Sequence, residues 1–340
     1  MWPRSVTRFG GVLVGIVIGS GVVGLLVAWT NKGFYMTTPT PRITPDESNS
    51  QNNLYKAYGH VHTILFFIGY PRSRHSLLGS LLDAHPHMVV SDESMAFPRW
   101  KGILKSKRNV SVYQFYDTLF GASERAVTQG RRSRVQKGSV VNRTSEYSYR
   151  VPHQWQGSYD HHIEVMGDKS GAFTARAMRD DDALDAVHLL EQASGAEVKF
   201  IHVVRNPFDN IATMTLQEEG INKRDGTHET KVDAPDVVDQ NIYRYFGWAE
   251  GSNKAREALP GQVIDISSIE IVKNAAETLR KICEFLEITC TEQYLQDCAA
   301  TVDPVPSITR DFITWTAEQK TRVYEEMKKY SFFTGYSYEQ

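Results

Sequence analysis

The chain has 340 residues, of which 41% are hydrophobic and 23% charged, and its formal net charge is -2. These values are typical of a globular protein and exclude a wholly disordered chain, a collagen-like chain and a polytopic membrane protein. The near-neutral charge excludes a nucleic-acid-binding polycation, and 3 cysteines are too few for a disulfide-stapled miniprotein or a four-cysteine zinc module.

The first predicted element is a transmembrane anchor over residues 9–29, which contain no charged side chain. About 20 apolar residues span a bilayer, whereas a signal peptide, the competing interpretation, usually has a shorter apolar core and a small-residue cleavage site. Arg4 and Arg8 precede the segment, so residues 1–8 are predicted to be a cytosolic tail and the rest of the chain lumenal. Three glycines share one helix face at a spacing that lets two anchors pair into a homodimer: Gly11, Gly15 and Gly19.

Residues 30–59 are predicted to form an extended stem, because the stretch over 37–53 is polar and rich in Pro, Ser, Thr and Asn. A short tail, one anchor, a stem and a large lumenal domain are the layout of many Golgi glycan-modifying enzymes, which is an analogy of layout only. Glycosylation sequons at Asn109 and Asn142 fit a secretory location. We therefore expect a single-pass protein of the Golgi membrane.

Residues 60–340 are predicted to form one lumenal domain in which strands and helices alternate. Five apolar or alternating runs predict strands: 63–68, 87–91, 162–166, 198–204 and 263–266. Four segments have helical patterns: residues 76–84, a segment that begins at Pro207, residues 274–286 and residues 316–330. This alternation predicts an α/β fold with a central parallel sheet covered by helices on both faces.

The cysteines lie close together in sequence, at positions 283, 290 and 298. In an oxidising lumen one pair can bridge, and the favoured pair is Cys290 with Cys298. The alternative is that all three are small buried hydrophobic residues.

The loop between the first strand and its helix runs from Gly69 to Ser76 and reads GYPRSRHS. A loop in this position directs backbone N–H groups and a helix N-terminus toward an anion. Gly69 and Ser76 fit the Walker pattern, but Arg74 stands in place of its second glycine and His75 in place of its lysine. The sequence therefore predicts a phosphate loop but not a metal-dependent nucleotidase.

A second motif ends the fourth predicted strand, where Arg205 is followed by Pro207 and, eight residues after the arginine, by Thr213. An arginine at the carboxyl end of a parallel strand can bind a phosphate bidentately, and Thr213 can add a hydroxyl two helical turns away.

Together the two motifs resemble the sulfotransferase superfamily, whose members use 3′-phosphoadenosine 5′-phosphosulfate (PAPS). The loop is similar to the family's 5′-phosphosulfate loop, and the Arg205–Thr213 pair to its 3′-phosphate site. The stretch over 71–93, whose helix ends at Asp83-Ala84-His85-Pro86, resembles tyrosylprotein sulfotransferases and several Golgi carbohydrate sulfotransferases. The resemblance implies a P-loop NTPase-like three-layer fold preceded by one transmembrane helix, PAPS as co-substrate, and no metal.

The resemblance also implies roles for individual residues. Arg72 matches the catalytic lysine or arginine of the loop, and Lys169, in a Gly-Asp-Lys segment, matches a lysine that reaches the sulfuryl group. Arg74 and His75 depart from the family pattern: Arg74 needs a negative φ or strain, and both residues can add charge or weaken the loop. The implied cofactor-binding residues are Arg72, Ser73, Arg74, His75, Ser76, Leu77, Arg205, Thr213 and Arg310.

The predicted general base is Glu93, which lies 21 residues after Arg72, where the tyrosylprotein enzymes carry their glutamate. Asp92 is the near alternative. Histidine is the second-choice base type, and three lumenal residues are available: His153, His161 and His162.

A basic segment over residues 101–150 holds 11 Lys and Arg against 3 Asp and Glu, a local charge of +8. This excess predicts an anionic acceptor, either a glycan or an acidic protein segment, although a solvated flexible insertion is an equal alternative. Nucleic acid is not expected in the lumen. Three functions remain: sulfation of a glycan hydroxyl, sulfation of protein tyrosine, or a catalytically silent protein that binds an anionic polymer.

Overall fold

A computed structural model describes residues 53–106, 110–128, 149–221 and 231–340. The predicted tail, the anchor, most of the stem and the asparagines of both sequons lie outside these ranges. Within them, no helix combines the length and the apolar character needed to cross a membrane.

The described chain contains a five-stranded sheet with strand order β2-β3-β1-β4-β5 and parallel pairing throughout. The predicted parallel sheet is thus confirmed. The third strand starts later than predicted, because residues 162–164 bend before the chain enters the ladder. The strands are β1 Thr63–Gly69, β2 Met88–Ser91, β3 Val165–Asp168, β4 Glu197–Val204 and β5 Val263–Ser267.

Helices cover both faces of this sheet, because alternate residues of β1 enter different cores. Leu65 and Phe67 pack with Leu78 and Ile282 in one core, and Ile64 and Phe66 enter the other. The labelled helices are α1 His75–Leu82, α2 Ala96–Lys105, α3 Val112–Thr128, α4 Gly171–Ala177, α5 Ala183–Ser194, α6 Pro207–Glu218, α7 Pro235–Ala258, α8 Ser268–Lys273, α9 Ala275–Leu286, α10 Glu292–Thr301 and α11 Ala317–Met327.

Two helices occupy the amino-terminal half of the basic segment. This half is therefore folded and is not a flexible insertion. α2 buries Trp100, and α3 buries Leu119 in the second core. Lys101 is 5% exposed and ion-paired with Asp180 and Asp182. Part of the local positive charge is therefore structural.

The carboxyl-terminal region forms a third core with α6 and α7. Phe208 and Tyr245 pack there with Tyr70 of the phosphate loop, whose ring stacks on Tyr245 at 4.0 Å between centroids. This packing connects the last part of the chain to the loop that follows β1.

The disulfide differs from the favoured prediction. Cys283 and Cys290 are bonded, with their Cα atoms 6.1 Å apart, and the pairing of Cys290 with Cys298 is wrong. Cys298 is buried on α10, where its Sγ lies 3.7 Å from the carbonyl oxygen of Leu81. The thiol therefore points into the core and not toward Cys290.

The packed domain begins before residue 60. Residues 53–58, assigned from sequence to the stem, are helical, and Ala57 and Tyr58 are each 2% exposed. The Tyr58 hydroxyl donates to Asp117 of α3 at 3.0 Å.

Candidate functional site

The candidate site lies at the carboxyl edge of the sheet. The loops after β1, β2, β3 and β4 meet there, as expected for parallel strands. Each loop contributes side chains that the sequence singled out, so we describe them strand by strand.

The loop after β1 has three residues with positive φ: Gly69 at 121°, Arg72 at 69° and Arg74 at 74°. A non-glycine residue in this region costs about 1–2 kcal/mol. The sequence predicted that Arg74 has either a negative φ or a strained backbone, and the structure shows the strained backbone. The buried Ser73 hydroxyl donates to the Tyr70 carbonyl at 2.8 Å and holds the turn together.

Arg74 lies immediately before α1, and in the described chain no side chain caps this helix start. The first N–H groups of the helix are the natural ligands of an anion. His75 and Leu77 are buried, so only their backbone N–H groups suit the predicted cofactor contacts.

The side chain of His75 is turned inward. Its Nε2 lies 3.2 Å from the carbonyl oxygen of Ile68, and burial lowers its pKa to about 3. The expectation that His75 adds positive charge is wrong, because a buried imidazole with this pKa is neutral at physiological pH. A Cβ on Gly171 would lie 2.3 Å from the His75 ring, so the glycine of α4 makes room for it.

Lys169, just after β3, connects the loops. Its side chain is 4% exposed, and its Nζ lies 2.8 Å from Asp92 Oδ1, 2.9 Å from Glu93 Oε1 and 3.1 Å from Ser76 Oγ. The predicted catalytic lysine, both candidate bases and a loop serine therefore meet at one ammonium group. Glu93 itself has a side chain that is 65% exposed and thus open to an acceptor.

Asp168 shapes this arrangement, and sequence reasoning missed it. Its buried carboxylate accepts from the Ser91 hydroxyl at 2.8 Å and from the backbone N–H groups of Ser94 at 2.9 Å and Ala96 at 2.8 Å. Burial raises its pKa, and these hydrogen bonds oppose that rise. Asp168 thus fixes the turn that carries Glu93, whose φ is 56°. The sequence feature that could have identified Asp168 is its place at the end of a buried strand, beside Lys169.

Arg205, which follows β4, forms the second centre of the site. Its Nη1 donates to Thr213 Oγ1 at 3.0 Å and to the Arg72 carbonyl at 2.9 Å. Its Nη2 donates to the Ser307 carbonyl at 2.7 Å and to Thr309 Oγ1 at 3.3 Å. Burial lowers the pKa of Arg205 to about 10, so the guanidinium remains charged at neutral pH. An arginine beside two hydroxyl groups has the chemistry of a phosphate site. These donors are used internally in the structure, so a phosphate contact by Arg205 would require their rearrangement and stays a prediction.

Comparison with known protein families decides what this edge of the sheet is. Residues 65–292 match the model of the Sulfotransferase family, and they include β2 to β5, most of β1, the loop from Gly69 to Ser76, and Arg205 with Thr213. The chain belongs to the Sulfotransferase family. Members of this family transfer the sulfuryl group from PAPS, so the chain is a sulfotransferase enzyme.

Solved sulfotransferase structures are similar at low identity. The sulfotransferase domain of the Synechococcus PCC 7002 olefin synthase is 13% identical, with a TM-score of 0.45, over 79% of this chain and 94% of that one. A Mycobacterium avium sulfotransferase is 11% identical, with a TM-score of 0.41, over 86% and 88%. A mouse sulfotransferase complexed with PAP is 11% identical, with a TM-score of 0.37, over 83% and 90%. A search of curated proteins found no match.

In this sulfotransferase, Arg310 lies behind the second centre. Its Nη2 is 2.6 Å from Asp209 Oδ2, and its Nη1 donates to the carbonyls of Ser337 at 2.9 Å and Tyr338 at 2.7 Å. Asp209 Oδ1 also accepts from the backbone N–H of Thr309 at 2.7 Å. The structure uses these donors internally, so a cofactor contact by Arg310 would require their rearrangement and stays a prediction. Thr309 is the residue of this segment that contacts Arg205. Sequence reasoning missed it, although its hydroxyl lies directly before Arg310 in the sequence.

The tetrapeptide that ends α1 is structural. The buried Asp83 carboxylate accepts from the backbone N–H groups of Val90 at 2.7 Å and Gly157 at 3.0 Å and from the Ser123 hydroxyl at 2.8 Å. Burial raises its pKa to about 6. Asp83 thereby joins the end of α1 to β2 and α3.

The three alternative histidine bases are remote from the carboxyl edge. His161 and His162 precede β3 at its amino end, and His162 contacts Glu164 there. His153 lies two residues before Trp155, whose N–H bonds the Ala84 carbonyl beyond the end of α1. Glu93 and Asp92 remain the candidates that lie beside the phosphate loop.

Proposed function

We propose that this sulfotransferase acts on a glycan hydroxyl in the Golgi lumen, with Glu93 as the general base. The observation that carries the proposal is the contact of Lys169 with Ser76 of the phosphate loop at 3.1 Å and with Glu93 at 2.9 Å. One ammonium group thereby joins the residue that would hold the sulfate donor to the residue that would take the acceptor proton.

PAPS would bind across the two centres. The 3′-phosphate suits Arg205 with Thr213, and the 5′-phosphosulfate suits the start of α1 with Ser76 and Arg72. When bound, it supplies the sulfuryl group. Glu93 accepts the proton of the attacking hydroxyl, while Arg72 and Lys169 place positive charge where negative charge develops.

The sequence pattern supports a secretory location. An apolar segment over 9–29, a polar stem and two sequons are typical of a type II Golgi enzyme. The bond between Cys283 and Cys290 adds support, since structural disulfides persist in oxidising compartments.

Support for an anionic glycan comes from the basic segment. Lys101 and Lys105 are ion-paired, whereas Arg125 and Arg150 are exposed. The remaining seven cations of the segment lie outside the described residues. Exposed cations attract polyanions.

The test is labelled-sulfate transfer from PAPS onto a panel of sulfated and unsulfated glycans and of tyrosine peptides with acidic flanks. We expect transfer to at least one glycan class and none to the peptides, with Glu93→Gln inactive on the same acceptor. Transfer to the peptides alone would overturn the glycan assignment and establish the tyrosine alternative. In parallel, 3′-phosphoadenosine 5′-phosphate (PAP) should raise the melting temperature. A folded chain that shows neither this shift nor transfer would be the silent polymer-binding protein.

A further inference from the structure

A cluster of histidines lies at the amino edge of the sheet, opposite the candidate active site. In the parallel register, Thr63 pairs with Val165 and Val165 with Met88. The residues just before these three, His62, Glu164 and His87, therefore stand side by side at one level. They are joined by main-chain hydrogen bonds from His62 to Glu164 at 3.1 Å and from Glu164 to His87 at 2.8 Å.

His60 and His162 lie two residues earlier on the same two segments. The ring of His162 stacks on that of His87 at 4.2 Å between centroids and lies 4.7 Å from that of His60. Three imidazoles, those of His62, His87 and His162, thus lie near one carboxylate, Glu164.

The metal-binding atoms of three of these side chains are close together. One such atom each from His87, His162 and Glu164 lies within 4.8 Å of the other two, and all three side chains are half-buried. His162 Nε2 is 2.8 Å from Glu164 Oε1, and His62 Nε2 is 3.6 Å from Glu164 Oε2.

The ring of His87 is also oriented by a main-chain carbonyl within the cluster. Its Nδ1 lies 3.1 Å from the His162 carbonyl oxygen, and because a carbonyl only accepts, Nδ1 carries the proton. The other ring nitrogen is therefore left with a lone pair. A hydrogen bond of this kind is the usual way in which a metal-binding histidine is oriented.

We infer that His87, His162 and Glu164 form a zinc site, with His62 as an outer residue that faces the carboxylate. Two imidazoles and one carboxylate suit Zn²⁺ better than Mg²⁺ or Ca²⁺, which prefer oxygen ligands. Binding would draw the ligand atoms from within 4.8 Å to about 3.3 Å, the separation that follows from tetrahedral bonds of about 2 Å. Water takes the fourth position.

The site takes no part in sulfuryl transfer, because it is remote from the phosphate loop. The strand β1 alone, seven residues long, separates the cluster from the phosphate loop by about 20 Å. A bound ion ties the segments before β2 and β3 to each other, and Glu164 extends this link to His62 before β1.

The test uses the full chain, purified, treated with a chelator and desalted. Calorimetric titration with Zn²⁺ should show one ion per chain, and Zn²⁺ should raise the melting temperature. Loss of an outer-shell partner costs about 10–100-fold in metal affinity. His162→Ala and Glu164→Gln should therefore each weaken binding at least that much, and His62→Ala should do so within that range. Replacement by Co²⁺ should give the intense visible bands of a tetrahedral site.

The matched control is His188→Ala, since His188 is an exposed histidine 3.4 Å from Glu191 on the surface of α5. It should bind Zn²⁺ like the unmodified chain. Melting curves of the metal-free variants show whether each one folds. Absence of one-to-one binding, or equal binding by the folded His162→Ala and Glu164→Gln variants, would overturn the site. The PAP-induced shift should survive chelation, and its loss would show that the metal site and the sulfotransferase site are not independent.

Discussion

The ammonium Nζ of Lys169 lies 2.9 Å from Glu93 Oε1, and the lysine side chain is 4% exposed whereas the carboxylate side chain is 65% exposed. The chain repeats this pairing outside the site. Lys199, 5% exposed, lies 2.7 Å from Glu287, which is 72% exposed. The second pair is a matched control, because it has the same geometry and lacks the phosphate loop.

Glu93→Gln should remove the base while keeping the size of the side chain. General-base catalysis contributes about 10²–10⁴-fold, so kcat should fall by that factor with the PAP-induced thermal shift unchanged. Glu287→Gln is the control and should keep full activity. If Asp92→Asn shows the large loss and Glu93→Gln does not, Asp92 is the base.

Lys169→Met should separate catalysis from stability. Asp92 and Glu93 keep access to water, so loss of their ion pairs should change the free energy of unfolding by no more than about 1 kcal/mol. Loss of a cation that stabilises developing charge costs about 10²–10³-fold in kcat. Lys199→Met should leave kcat intact. Equal kinetic effects of the two substitutions would contradict a catalytic role for Lys169.

Gly171→Ala tests the space given to His75. The added Cβ would lie 2.3 Å from the His75 ring and must displace the first residue of α1. We expect a destabilisation of about 1–3 kcal/mol and weaker PAP binding. In exposed Gly102 of α2, where a Cβ would meet no described atom within 4 Å, alanine should stabilise by about 0.5–1 kcal/mol. Equilibrium denaturation of both variants makes the comparison.

Arg74 tests the strain in the phosphate loop. At a φ of 74°, glycine is relaxed and alanine is not. The free energy of unfolding of Arg74→Gly should therefore be about 1 kcal/mol higher than that of Arg74→Ala. Equal stability of the two variants in urea would show that the residue is not left-handed.

Asp83 predicts a pH dependence of stability. Burial raises its pKa from 3.8 to about 6, so the folded state binds this proton more tightly than the unfolded state. The stabilising contribution is complete below the unfolded pKa and is lost as the pH rises through the folded pKa. Between pH 7 and pH 5, the free energy of unfolding of the unmodified chain should rise by about 1 kcal/mol relative to that of Asp83→Asn. A difference in unfolding free energy that stays constant with pH would contradict this assignment.

The parallel sheet and the positions of the two predicted phosphate-binding loops were predictable because they depend on local patterns. The run over β1 is wholly buried, and a loop with Gly69 and Ser76 follows it at once. Helix α7 was not predicted, because the side of it that packs inward includes Asn241 and Ser252 among its apolar residues and so blurs the helical period.

Contacts between distant segments were less accessible from sequence. Asp168 acts on a turn more than 70 residues earlier, and only the pairing of β2 with β3 brings them together. The disulfide was mispredicted for a related reason. Sequence spacing cannot tell that Cys298 faces the Leu81 carbonyl inside the core while Cys283 and Cys290 face each other.

The hydrogen bonds from Arg310 to the carbonyls of Ser337 and Tyr338 have a consequence for truncated forms of the protein. Asn206, next to Arg205, also donates to the Ser337 carbonyl, at 2.7 Å. Ser337 and Tyr338 thus support the segment around Arg205, the proposed 3′-phosphate site. A chain truncated before Ser337 should therefore bind PAP more weakly than the unmodified chain, which a comparison of the PAP-induced thermal shifts would measure.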